Sequence, residues 1–266
     1  MKLDNKRTIL TGFAFLSICA FWQMYNSIVP LILTNTFHLN ETYSGAIMAA
    51  DNILALFLLP LFGSISDRTN TKIGKRMPFI LFGTGLAIIL MNILPIIDNS
   101  YAAAPSTFKT VSFVVVLGLL LVAMGTYRSP AVALMPDITP KPLRSKGNAI
   151  INLMGALGGV IYLGVAAVMY PNSKVAGLAH VNYQPLFIVV ASIMFVGVAI
   201  LFLTIKEPKL IEEQRKLEAE HPEWNLAQDD GSGHETLPKN VKKSLGFLLT
   251  SIALWFIGYN AVETWF

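Results

Sequence analysis

The sequence predicts an all-α polytopic membrane protein, and three observations carry that prediction. Apolar residues make up 54% of the 266 and charged residues 14%, where a soluble domain carries about 25% charged. The charges are missing from long stretches, and the basic ones gather in alternate loops. A run of about 20 apolar residues crosses the hydrocarbon core. Six complete runs occur, at 8–34, 43–66, 77–97, 111–136, 147–170 and 184–205. A seventh begins near Ser244 and is still apolar at Phe266. The expected organisation is an N-terminal six-helix bundle over 1–205, a cytoplasmic linker over 206–244, and a truncated seventh span over 245–266.

The first run is too long for a signal peptide, and no small-residue cleavage site follows it. It holds Cys19, the single cysteine, which excludes an internal disulfide. Orientation follows from the lysines and arginines. Lys109 and Lys174 fall on one side of the bundle, and Arg128 falls inside a span. The other seventeen of the 20 basic residues precede the first span or follow the second, fourth and sixth. The N-terminus is therefore expected in the cytoplasm of a cell-membrane protein. The net charge of +4 reads as a topology signal, with no basic stripe for nucleic acid. Within the linker, Ile211–Glu220 reads as a short charged helix and Gln228–Glu235 as a flexible loop.

The strongest local signal joins spans 2 and 3. It runs Gly63-Ser-Ile-Ser-Asp67-Arg68, then Gly74-Lys75-Arg76-Met-Pro78. Gly63 permits close helix approach, and Asp67 sits where span 2 leaves the membrane. The basic residues can pair with Asp67 and with carbonyls at neighbouring helix ends. A second junction, Arg128-Ser-Pro130 to Asp137 and then Arg144-Ser-Lys-Gly147, joins spans 4 and 5.

These segments, with Gly258-Tyr-Asn-Ala-Val-Glu263-Thr, resemble the major facilitator superfamily, and in particular its sucrose-transporter and glycoside–cation symporter branches. The resemblance implies two six-helix bundles around a central cavity, working by alternating access, with inverted three-helix repeats in each half. It further implies a cytoplasmic gate built from Gly63, Asp67, Arg68, Gly74, Lys75, Arg76, Asp137 and Arg144. Aligned on Pro60, the melibiose-type cation carboxylates fall on Ala55 and Leu59, which cannot bind sodium. Aligned on Pro130, the plant sucrose-transporter arginine falls on Val132, with Arg128 one turn earlier, and that family's acid in the fourth span falls on Leu121.

Three ionisable residues are expected inside spans: Asp51, Arg128 and Glu263. Each is costly there and should face protein or a wet cavity. Asp51 and Glu263 are the proton-coupling candidates. Asp51 and Arg128 differ in depth by about 10 Å, which argues against a direct salt bridge and for a shared cavity. Trp22, Gln23, Tyr25 and Asn26 in the first span offer an aromatic face and amides suited to a sugar; Arg128, Asn52, Tyr127 and Asn152 complete the candidate solute cavity. Tyr162 is a further polar candidate. Glycines 155, 158, 159 and 164 mark span 5 as a close-packing or sliding surface.

The four histidines, His38, His180, His221 and His234, lie in loops without metal-ligand spacing. Neither a metal, a cofactor nor an enzyme is expected. The sequence-level reading is a proton-coupled sugar or glycoside symporter in the bilayer, completed by a missing C-terminal six-helix half. An efflux carrier or a transporter-like nutrient sensor on the same fold is the alternative.

Overall fold

The structure, a computed structural model, describes residues 3–222, 224 and 239–265; at 172, 239, 240, 256, 257 and 259–265 it describes the backbone alone. Helices and no strand are found among the described residues. They are α1 Asn5–Leu31, α2 Glu41–Arg68, α3 Met77–Ala103, α4 Thr107–Asp137, α5 Arg144–Met169, the single turn α6 Asn172–Val175, α7 Gln184–Thr204, α8 Glu207–Glu220 and α9 Lys239–Trp265. Six of these, α1 to α5 and α7, are long and apolar enough to cross a membrane.

Helix starts follow local chemistry. The Asp4 side chain accepts from the Arg7 amide at 3.0 Å and Asn40 from the Tyr43 amide at 2.9 Å, each satisfying an orphan donor of the first turn. Proline stands at the start of α3 and α7, where its missing N–H costs nothing. Pro60, Pro95, Pro130 and Pro136 lie inside helices, as spans packed in a bundle tolerate. After Pro30, α1 widens into a π turn, Ile32–Thr36, and His38 at φ 52° turns the chain back.

One expected boundary is corrected. The third span does not stop at Ile97, before the first acid; α3 runs on to Ala103 and carries Asp98, which is fully buried. The helices therefore hold a fully buried carboxylate in addition to the half-buried Asp51.

The chain divides into two compact units, Met1–Leu217 and Glu218–Phe266. In the first, α1 packs mainly on α5 and α7, α4 on α3 and α2, and α3 on α7, while α1 and α4 touch each other. Exchanging α1–α2–α3 with α4–α5–α7 leaves this pattern unchanged, because α1·α5 maps to α4·α2 and α1·α7 to α4·α3. That is the packing an inverted three-helix repeat produces. The repeat extends to atoms. A Cβ on Gly83 of α3 would stand 3.0 Å from the Ala123 carbonyl oxygen of α4, and one on Gly197 of α7 would stand 3.0 Å from the Phe13 oxygen of α1. One turn beyond those carbonyls, Ser17 and Tyr127 meet through their hydroxyls at 2.6 Å.

The outward faces suit lipid. Phe82, Ile89 and Ile96 form an exposed stripe at seven-residue spacing along α3, and Ile188, Phe195 and Leu203, seven and eight residues apart, form one on α7. In the second unit, α9 begins at Lys239, ahead of the expected start near Ser244. Helix α8 begins four residues before the expected Ile211, and the loop expected at Gln228–Glu235 lies outside the described residues.

Candidate functional site

The loop joining α2 to α3 is held by charge. Arg76, 4% exposed, sits at its centre. Its guanidinium donates to Asp137 at 2.9 Å and to the Gly63 carbonyl at 3.3 Å, and also bonds the Ser66 hydroxyl and Asp67. Lys75 adds an ion pair to Asp137 at 3.0 Å and a longer one to Asp67 at 3.8 Å. The ends of α2, α3 and α4 are thereby tied through one buried cation. Gly63 contributes its carbonyl and lets α2 approach Ser129 of α4, whose hydroxyl donates to the Leu59 carbonyl at 2.8 Å. Arg68 is exposed and lines a cleft of about 510 Å³ with Asp67, Lys75 and Arg215. Arg144 donates to the Thr139 carbonyl at 3.2 Å, so its contact is within its own turn.

A residue assigned to the linker proves to belong here. Glu207, the first residue of α8, is fully buried. Its carboxylate accepts from the amides of Lys75, Arg76 and Met77, each at 2.9 Å. These are orphan donors at the start of α3, where the helix dipole also favours an anion. Gly74 makes the approach possible. Its φ is +120°, and a Cβ there would collide with the Glu207 side chain. The signal in the sequence was an acid directly after a span, followed by a proline; a polar neighbourhood disguised it.

The candidate solute residues distribute over a second region midway along the helices. The Arg128 guanidinium of α4 lies 5.6 Å from the centre of the Trp22 ring of α1, a cation–π contact. Its charge also reaches Asp51 of α2 and Cys19 of α1, but among the described residues Asp51 and Arg128 form no ion pair. The Asp51 carboxylate accepts from the Asn52 amide at 2.6 Å. Trp22 and Tyr25 meet edge to face at 5.3 Å, and the Trp22 indole N–H and Tyr25 hydroxyl are buried without a hydrogen-bond partner. Gln23 and Asn26 are half-buried, with the Gln23 side-chain oxygen 3.8 Å from where a Cβ on Gly159 would stand. Asn52 and Asn152 are exposed.

Tyr127 stands apart from this group. It is fully buried, and its hydroxyl also donates to the Ala14 carbonyl at 3.0 Å, so it rivets α4 to α1. Tyr162 is buried with its hydroxyl unpartnered. Of the α5 glycines, Gly158 crosses the Leu16 backbone and Gly155 faces Cys19 and Phe15; both pack within the bundle, while Gly164 has open space. The side chain of Glu263 lies outside the described residues.

The profile of the Major Facilitator Superfamily matches residues 11–266, and the chain belongs to that superfamily. The sucrose transport protein SUC3 of Arabidopsis thaliana is 29% identical over 53% of this chain and 25% of its own length. The general alpha-glucoside permease of Schizosaccharomyces pombe is 25% identical over 86% of the chain and 40% of its own length. The alpha-ketoglutarate permease of Escherichia coli is 27% identical over 70% of the chain and 41% of its own length. The chain thus spans between a quarter and about two fifths of the relatives it matches.

Proposed function

We propose that this member of the Major Facilitator Superfamily works as the N-terminal half of a proton-coupled sugar or glycoside symporter, with its N-terminus in the cytoplasm. The observation that carries the reading is the Arg128–Trp22 contact beside Asp51. A cation is spread over an aromatic face, and two unpartnered donors, the Trp22 indole and the Tyr25 hydroxyl, lie next to it. Such an aromatic face stacks on a pyranose ring, and the two buried donors lack the acceptor that a sugar hydroxyl would supply once admitted to them. The sucrose and alpha-glucoside relatives support the same solute class, whereas the alpha-ketoglutarate relative shares the superfamily without a sugar in its name. Half-buried Gln23 and Asn26 extend the solute surface, and exposed Asn52 and Asn152 lie where a second bundle would close on α2 and α5. Tyr127 serves as a positioning residue. The Asp67–Arg76–Asp137–Glu207 cluster is the gate on the cytoplasmic side.

Asp51 is the proton carrier in this reading. Asp51→Asn in the full-length protein should abolish accumulation driven by an imposed pH gradient in vesicles. It should largely spare equilibrium exchange of internal for external glycoside, which requires binding and reorientation but no net proton release. Retained accumulation would remove Asp51 from coupling and move the role to Glu263; loss of both activities would make Asp51 part of solute binding. Absence of any glycoside counterflow in the unmodified protein would instead favour a sensor.

A further inference from the structure

The bundle end remote from the Asp67–Arg76 cluster carries a second set of polar groups that transport as proposed does not use. Asp98, near the end of α3, is fully buried, and its carboxylate makes no close hydrogen bond, only the looser approaches of the Thr36 side chain and the His180 ring. The His180 ring, from the segment between α6 and α7, approaches it at 3.8 Å through Nε2. A buried carboxylate without a close partner is among the costliest arrangements in a fold unless a proton or a cation neutralises it.

A chain of hydrogen bonds settles where His180 holds its protons. The Gln184 backbone N–H can only donate, and it donates to Asn182 Oδ1 at 3.0 Å. Asn99 Nδ2 donates to the same oxygen at 2.9 Å. Asn99 therefore presents its Oδ1 to His180 Nε2 at 2.8 Å, and Nε2 must carry a hydrogen. The free position on the ring is Nδ1, which faces the Thr36 hydroxyl of the α1 π turn at 3.4 Å. The Thr36 side chain in turn bears on Asp98. A proton added at Nδ1 can donate to Thr36 Oγ1, turn that hydroxyl toward Asp98, and leave an imidazolium facing the carboxylate.

The other groups around the pair do not compete. Burial raises the Tyr183 hydroxyl above its ordinary range, and the Asp98 charge adds to the effect. Burial and then Tyr183 do the same to Tyr170, whose hydroxyl donates to the Asn182 carbonyl at 2.8 Å. Both stay neutral across the range in which an imidazole changes charge. Lys109, at the start of α4, is committed to the Ser100 and Ala104 carbonyls at 2.8 Å each. Tyr101 packs its ring on Phe37 at 4.4 Å, and His38 and Lys174 are exposed.

We propose that Asp98 and His180, bridged by Thr36, form a proton-binding site that clamps the 176–183 segment onto the ends of α1 and α3. One proton from the medium on that side binds the pair, at His180 Nδ1 with the Asp98 carboxylate as its counter-ion. Proton uptake closes the clamp and proton loss frees the segment. The site does not depend on the identity of the solute or on Asp51.

The test is an NMR titration of the full-length protein carrying isotope-labelled histidine, with the His180 signal assigned by its loss in His180→Gln. Asp98→Asn should lower the His180 proton affinity at least tenfold, one pH unit in midpoint, because the counter-ion is gone. Thr36→Val, which keeps the shape and removes the bridge, should lower it about threefold. A spin label at Leu178→Cys should be immobilised below the wild-type midpoint and mobile at all pH values in Asp98→Asn. A His180 midpoint that is the same in wild type and Asp98→Asn overturns the proposal. Should Asp98→Asn fail to fold, an unchanged midpoint in Thr36→Val does so.

Discussion

The two ends of the bundle handle buried charge in opposite ways. At the end where α2 meets α3, Arg76 is shared between Asp67 and Asp137, and Glu207 takes three backbone amides. At the other end, Asp98 is as deeply buried as Glu207, yet it makes no close hydrogen bond and has only the looser approaches of Thr36 and His180. A fully partnered cluster stores its energy in geometry and is released by moving helices; a buried carboxylate facing a titratable ring stores it in protonation of the pair. The difference suits the proposed gate at one end and the proposed proton-dependent clamp at the other.

The largest effect that could break this comparison belongs to Glu207. Glu207→Ala leaves three buried amides unsatisfied at the start of α3, a loss of about 3 kcal/mol or more. Thermal unfolding in detergent should drop by on the order of 10 °C. Asp67→Asn, on the exposed side of the same cluster, should leave the protein folded and inserted while impairing uptake, since Arg76 keeps Asp137. A Glu207→Ala protein with wild-type stability would reduce this end to a topology signal and remove the contrast.

Between the ends, the repeat sets the next effect. At Gly158 an added methyl meets the Leu16 backbone, with the carbonyl carbon at 2.8 Å and Cα at 3.0 Å, and backbone cannot yield as a side chain would. Gly158→Ala should cost about 1–3 kcal/mol of overpacking, read as a loss of unfolding temperature. Gly164→Ala, with nothing near it, should cost nothing measurable. Equal behaviour of the two would mean that α5 is not seated on α1 as described.

How much of this was legible in the sequence follows the same division. Apolar runs located the six membrane-length helices because a span must be continuous and uncharged, and the Gly63–Arg76 motif located the charged cluster around Arg76. Asp98 and Glu207 were hidden by the same rule. Each is the first acid beyond an apolar run, and pattern alone ends the span there. Their surroundings come from residues about 80 and 130 positions distant in sequence, which no local periodicity encodes. Tyr127 was misleading for a related reason. A tyrosine beside Arg128 suggests a cavity, but the Ser17 hydroxyl that binds it lies on another helix.

The smallest effect tests whether exposure, rather than charge, separates strong contacts from weak ones at the gate end. Asp4 caps α1 there, and Arg7 pairs with both Asp4 at 3.4 Å and Glu213 at 3.8 Å. The Arg7 backbone amide, and then the Arg7 charge, hold the Asp4 carboxyl below its ordinary value. A depressed carboxyl stabilises the fold above its unfolded pKa, about 3.9, and that contribution disappears as pH falls through the lower folded value. The group is largely exposed, so solvent screening keeps the effect under about 1 kcal/mol. Asp4→Asn preserves the cap without the charge. It should unfold slightly below wild type at pH 7 and converge on it as pH falls through the depressed range of the Asp4 carboxyl, whereas Asp4→Ala should stay lower throughout. A loss for Asp4→Asn as large as that for Glu207→Ala would show that charge alone sets the strength of this end, with burial playing no part.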